Sequence, residues 1–154
     1  ADVDGDGQLE LVSGRNAAKA GEPDAWTLVY HKPGADLGQP WTRVTVDDAA
    51  NGGAHDILFV DVDGDGRGEL IANAALCPVP GLYLYRAGEN PTAPWRRTTI
   101  VENIATEGLA AADLNGDGRM EVLVHAWYYE GAAVIVYTYD DGELNEVLAP
   151  GCGA

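Results

Sequence analysis

DVDGDGRGEL, residues 61–70, sets Asp61, Asp63 and Asp65 at alternate positions and adds a fourth acid, Glu69, just before the chain turns apolar. Carboxylates about 4 Å apart repel by roughly 4 kcal/mol per pair at an effective dielectric near 20. Such a segment needs a compensating charge, or it stays unstructured. The pattern recurs as DVDGDGQLEL (2–11) and as DLNGDGRMEV (113–122). The three starts, at Asp2, Asp61 and Asp113, are 59 and 52 residues apart, which marks an internal repeat rather than a chance acidic run.

Other markers keep the same register. QPWTRVTV (39–46) matches APWRRTTI (93–100), and TLVYH (27–31) matches LYLYR (82–86) and VIVYTY (134–139). These runs alternate and are rich in β-branched and aromatic residues, as strands are. Clusters of Gly, Pro, Asn and Asp separate them. Each repeat predicts four strands. The first precedes the acidic loop (56–60, 109–112). The second leaves it (9–13, 69–74, 121–126). The tyrosine run is the third and the PWxR run the fourth. Four strands per repeat of 40–60 residues is the signature of a β-propeller blade. The expectation is an all-β chain of four-stranded antiparallel blades, with a loop for calcium between strands one and two of each. Residues 1–154 form one propeller segment, divided as a partial blade 1–48, a blade 54–102 and a blade 107–150. Eleven strands make just under three blades. A fragment of a larger propeller is the expected reading, ahead of a ring completed by several copies or an open stack.

A hydrophobic content of 46% suffices for a core, and the net charge of −16 argues against nucleic acid and anionic lipid as partners. Eleven of the 25 acids fall in the three loops, so the charge is gathered rather than spread. No apolar run approaches a membrane span, so membrane insertion is not expected, and no signal peptide is visible. The chain begins at Ala1 and its only methionine is Met120, which reads as a processed product or a piece, natural or recombinant, of a longer chain. Cys77 and Cys152 could pair, but two cysteines define no framework.

Within each loop the acids stand at positions 1, 3, 5 and 9, and a glycine (Gly7, Gly66 or Gly118) stands at position 6 for the sharp turn. Alternate side chains of a tight loop converge, and hard oxygen donors in that number suit Ca²⁺. The ligands are Asp2, Asp4, Asp6 and Glu10 in the first loop, and Asp61, Asp63, Asp65 and Glu69 in the second. In the third they are Asp113, Asn115, Asp117 and Glu121. The backbone carbonyl at position 7 (Gln8, Arg67 and Arg119) adds an oxygen. About three ions are expected, the third held most weakly because Asn115 brings no charge. An EF-hand needs a bidentate Glu at position 12, where this chain has Ser13, Ala72 and Val124. Plain solvated Asp-Gly turns are the bland alternative.

The three loop segments resemble the FG-GAP/VCBS repeat propellers, a group that includes the head of integrin α subunits and many bacterial surface proteins. The resemblance covers nearly the whole chain and implies calcium on the same loop positions. The chain departs from the integrin pattern. It has no Phe-Gly before the loop, and Asn73-Ala74-Ala75 and His125-Ala126-Trp127 stand where the family has Gly-Ala-Pro. GLYLYR, PWRRTTI and EGLAAADLNGDG also resemble propellers similar to aldos-2-ulose dehydratase and some polysaccharide lyases.

Opposite the loops, the residue six before the first acid and the residue twelve after it share an end. These are His55 and Asn73, then Glu107 and His125, with Gly14 in the first repeat. His55, Glu107 and His125 are the candidates for acid–base or metal chemistry at a channel mouth. Asn73, Trp127 and Tyr128, with Tyr129, are candidates for a ligand, the aromatics by stacking on a sugar ring. A polar residue at a strand start is equally well explained by a bond to neighbouring backbone. His31 reads as surface, Trp41 and Trp95 as packing between blades, and Tyr30, Tyr85 and Tyr137 as core. Three functions follow in order. The first is an extracellular, cell-surface or periplasmic module for binding or adhesion, with a glycan or protein ligand. The second is a structural subunit that self-associates through open blade edges. The third is a carbohydrate lyase or dehydratase.

Overall fold

A computed structural model describes residues 1–14, 27–47, 54–74, 80–104, 106–128 and 131–153. It is all-β, with three antiparallel sheets and no helix among the described residues. The first sheet holds β1 (Leu11–Gly14), β2 (Leu28–Lys32) and β3 (Thr42–Asp47) in chain order. The second holds β4 (Asp56–Val60), β5 (Glu69–Asn73), β6 (Gly81–Arg86) and β7 (Arg96–Glu102). The third holds β8 (Thr106–Ala112), β9 (Glu121–Tyr128), β10 (Gly131–Asp140) and β11 (Glu143–Leu148). A twelfth strand, β12 (Gly151–Gly153), was not among the eleven expected. β10 is ten residues long and pairs with β11 over Val136–Asp140 and with β12 over Gly131–Ala133. Gly-Cys-Gly is too short and too small to show any alternation, so nothing in its sequence announces a strand.

The sheets stack face to face because each strand alternates its side chains. On the second sheet, Leu70, Ala72, Tyr83 and Tyr85 turn toward the first sheet and meet Leu28, Tyr30, Val44 and Val46. Ile71, Leu82 and Leu84 turn the other way and meet Val122, Val124 and Tyr137 of the third. Burying a side chain of this size contributes about 1.5–3 kcal/mol, so these two cores hold the stack together. The approach is close at Gly14, where an added Cβ would lie 2.8 Å from Ala54 Cβ. A side chain there would push β1 off the second sheet.

The strand register corrects two readings. Tyr30, Tyr85 and Tyr137 are all buried, as core residues should be. They are not equivalent, however. His31, Tyr85 and Tyr137 pair with the matching residues Leu11, Leu70 and Val122, so Tyr30 sits one step off and points to the opposite face of its sheet. Tyr30 and Tyr85 consequently meet in one core from its two sides. The tryptophans also part company. Trp41 and Trp95 each donate Nε1–H to the carbonyl four residues back. Trp95 is buried against the first sheet, whereas Trp41 is half-exposed, with no sheet on that side among the described residues. His31 is half-buried and its Nε2 lies 3.3 Å from Ser13 Oγ.

Candidate metal centre

The three acidic loops share one end of the stack. The second joins β4 to β5, the third joins β8 to β9, and the first leads into β1. The second and third touch, since a Cβ on Gly64 would lie 3.0 Å from Gly118 O. A cleft of about 130 Å³ separates the first and second, between Asp2 and Asp4 on one wall and Gly66 and Arg67 on the other.

Their backbones follow one path. The position-6 glycines have φ of 87°, 86° and 86°. The position-4 glycines, Gly5, Gly64 and Gly116, have φ of 75°, 75° and 79°. Both places lie in the left-handed region that residues with a Cβ avoid. The position-6 glycines were expected from the sharp turn. Those at position 4 were not, although Asp-Gly-Asp-Gly displays both. The position-1 carboxylate wraps the turn. Asp61 accepts the N–H groups of Gly64, Asp65 and Gly66, and Asp113 accepts those of Gly116, Asp117 and Gly118. Position 5 accepts the N–H of position 7 in every loop, at 2.8–2.9 Å. The position-9 glutamates are buried, and each turns Oε2 back to the N–H of position 2 (Val3, Val62 and Leu114) at 2.7–3.0 Å. One glutamate oxygen is thus committed to the backbone, which leaves Oε1 for the interior of the loop.

What the loops do with their remaining oxygens differs. In the first loop, Asp2 Oδ1, Asp4 Oδ1 and Glu10 Oε1 are buried without a hydrogen-bond partner. Carboxylate atoms of Asp2, Asp4 and Asp6 lie within 4.8 Å of one another. The Lys32 ammonium bonds Asp4 Oδ2 and, at 2.7 Å, Asp6 Oδ2. That contact holds the Asp6 carboxyl below its ordinary range and raises the lysine above its own. In the second loop, Asp61, Asp63 and Glu69 form the compact group. Burial, aided by the neighbouring Asp63 and Asp65 charges, pushes the Glu69 carboxyl up to about 7, against the N–H of Val62 and the charge of Arg86. Arg86 stands 3.7 Å from Asp63 Oδ2 and 3.8 Å from Glu69 Oε1. In the third loop the Asn115 amide lies between Asp117 Oδ2 (3.2 Å) and Glu121 Oε1 (3.1 Å).

This donor set fits a hard divalent cation. Buried carboxylate oxygens with no partner cost several kcal/mol each unless a cation or a hydrogen bond meets them. A cation among Asp2, Asp4 and Asp6 would answer the unpartnered oxygens of Asp2 and Asp4. At position 7 the arginine side chains serve elsewhere, Arg67 donating to Gly88 O and Arg119 to Tyr139 O, whereas Gln8 Nε2 donates to Asp6 Oδ2 within its own loop. Lys32 and Arg86 were missed in the sequence, where the signal is the base that closes each tyrosine run, VYHK and LYLYR.

At the other end, His55, Asn73 and His125 stand in different surroundings. His55 is exposed and its Nδ1 is 3.5 Å from Asp56 Oδ2. Asn73 is fully buried and donates Nδ2–H to Thr106 O at 2.6 Å, so it ties the second sheet to the third and offers no surface to a ligand. His125 occupies the matching place on the third sheet and lies half-buried beside Leu123 and Val134 on that sheet's outward face. Glu107 lies in β8, and Trp127 and Tyr128 lie in β9 opposite Ala132 and Gly131. Tyr129 and Cys77 fall outside the described residues, while Cys152 lies in β12 opposite Ala132. Among the described residues, neither histidine belongs to a group close enough to share an ion.

Residues 2–72, which contain the first two loops and the strands between them, match the family model of the FG-GAP-like repeat. No curated protein and no solved structure matches the chain.

Proposed function

We propose that this chain, with its FG-GAP-like repeat over residues 2–72, is a calcium-stabilised segment of a β-propeller and works outside the cytoplasm as a binding or adhesion module. The observation that carries the reading is the set of buried, unpartnered oxygens on Asp2, Asp4 and Glu10, in a loop whose backbone recurs twice more. Extracellular calcium modules bind with dissociation constants of roughly 10⁻⁴ to 10⁻³ M, which suits millimolar calcium and leaves cytosolic sites empty. The ions cancel carboxylate repulsion where the first strand of a blade hands over to the second, so binding and folding are coupled. A glycan or protein ligand would be taken at the opposite end, where His55 is exposed and β9 carries Trp127 and Tyr128.

The stack supports a propeller with further blades. Val62, Ile71 and Leu82 of the second sheet are buried against the third. Their counterparts on the third sheet are Leu114, Leu123 and Val134, of which Leu114 and Val134 are exposed. A sheet of the same kind would cover them, supplied by remaining blades or by another copy of the chain. The same three residues favour the second reading, a structural subunit that assembles through its open faces.

Native mass spectrometry with calcium and then with chelator tests the reading. The expected result is three ions per chain and a fall in the thermal midpoint on chelation. No bound calcium at millimolar concentration overturns it.

A further inference from the structure

We infer that one strand position, held by Lys32, Arg86 and Thr138, sets how readily each loop accepts a cation, and that Lys32 makes the first loop the last to fill. The inference rests on the calcium reading above and ranks its sites.

The position follows from the register. His31 pairs with Leu11, Tyr85 with Leu70 and Tyr137 with Val122. One residue further, Lys32, Arg86 and Thr138 lie across from the buried glutamates Glu10, Glu69 and Glu121. Each reaches into its own loop. Lys32 bonds Asp4 and Asp6, Arg86 approaches Asp63 and Glu69, and Thr138 Oγ1 donates to Glu121 Oε1 at 3.4 Å. Its charge follows the third loop position: Lys32 with Asp4, Arg86 with Asp63, Thr138 with Asn115. Where the acid becomes an amide, the base becomes a hydroxyl. Counting only the four ligand side chains and this strand residue, and leaving aside Arg67 and Arg119 at position 7, the first two sets have four acids and one base and the third has three acids and no base, so each set keeps the same excess of negative charge.

The strength of the contact is graded. Lys32 makes hydrogen bonds inside the cluster. Arg86 stays beyond hydrogen-bond distance of the acids, and its Nη2 has no hydrogen-bond partner. It is held from the third sheet instead, with Nη1 donating to Gly142 O and the guanidinium 4.8 Å from the Tyr139 ring. Thr138 brings no charge. A cation entering the first loop must therefore displace an ammonium from two carboxylates, while one entering the third meets no charged competitor. Lys32 does not saturate the acids, for the Asp4 side chain is 3% exposed and its Oδ1 still lacks a partner. Ligand charge alone would make the third site the weakest, and the Lys32 contact reverses that order.

The test is calorimetric titration of the full chain with Ca²⁺, beside its thermal midpoint in chelator, for the wild type, Lys32→Thr and the double variant Asp4→Asn/Lys32→Thr. Lys32→Thr should tighten one site at least tenfold and lower the midpoint in chelator, because Asp4 and Asp6 lose their counter-ion. The double variant rebuilds the pairing of the third loop in the first and should recover the midpoint. Three bound ions with every affinity unchanged by Lys32→Thr would overturn this inference and leave the calcium reading standing. Absence of binding in both proteins would sink the two together. Should Lys32→Thr not fold in chelator, Thr138→Lys supplies the reverse test: one site loosens at least tenfold, or the ranking is wrong.

Discussion

The two seams between sheets are built from equivalent strand positions and differ in chemistry. At the first, Asp47 is buried on the first sheet and collects two donors from the second, the Tyr85 hydroxyl at 3.1 Å and Arg97 Nη1 at 3.0 Å. Tyr30 of the first sheet donates to Pro91 O, and the Trp95 backbone donates to Val46 O. At the second seam, Val101 occupies the place of Asp47, Tyr137 that of Tyr85 and Glu146 that of Arg97. The core there is aliphatic apart from Tyr137, and Asn73 to Thr106 O is a buried polar link across it. The alternating apolar pattern makes any sheet able to stack on any other. The polar residues are particular to one seam, so they specify which sheet follows which, at little net gain in stability.

Truncating the aliphatic seam should do the most damage. Leu84→Ala, fully buried between the second and third sheets, should cost about 2–5 kcal/mol in urea unfolding, the usual range for such a cavity. A loss under about 1 kcal/mol would mean that this seam is not a packed core. Asp47→Ala should follow at about 1–3 kcal/mol, because it strands the Tyr85 hydroxyl and the Arg97 guanidinium at the polar seam. Replacing the whole group with apolar residues (Asp47→Val, Tyr85→Phe, Arg97→Met) should cost less than Asp47→Ala alone, since no donor is left unmet. A larger loss from the triple variant would show that the polar seam does more than specify order. Asn73→Ala should cost about 1 kcal/mol, one buried hydrogen bond. The smallest effect is alkaline. Burial first, and then the Asp47 charge, raise the Tyr85 hydroxyl above its ordinary range. The folded state therefore holds that proton more tightly than the unfolded chain does. Its contribution to stability is present below about pH 10 and is lost as pH rises through the folded value. Tyr85→Phe should flatten the fall in urea midpoint above pH 10, and an unaltered slope would remove Tyr85 as its source.

Much of this was legible in the sequence, and for local reasons. Loop position, strand order and the antiparallel hairpins depend on glycines that allow positive φ, on alternation and on short separations along the chain. DVDGDGRGEL therefore displays its turn and its buried Glu69 without help from the rest of the molecule. The Tyr30 register was not legible, because a two-residue period tells which residues share a face but not which face meets which neighbour. β12 was missed because Gly151–Gly153 has no pattern of its own and exists only where β10 outruns β11. Asn73 and His125 look alike by spacing, yet the third sheet covers one, and the other lies half-buried on the outward face.

The sequence by itself determined the class of fold, the threefold repeat and the acids that crowd each loop, since these depend on residues within a few positions of one another. Only the tertiary structure decided which charges answer those acids. Lys32 lies 28 residues from Asp4, Arg86 is 23 from Asp63, and Thr138 is 23 from Asn115. Electrostatic energy depends on distance through space, and the pairings of β1 with β2, β5 with β6 and β9 with β10 bring these groups together.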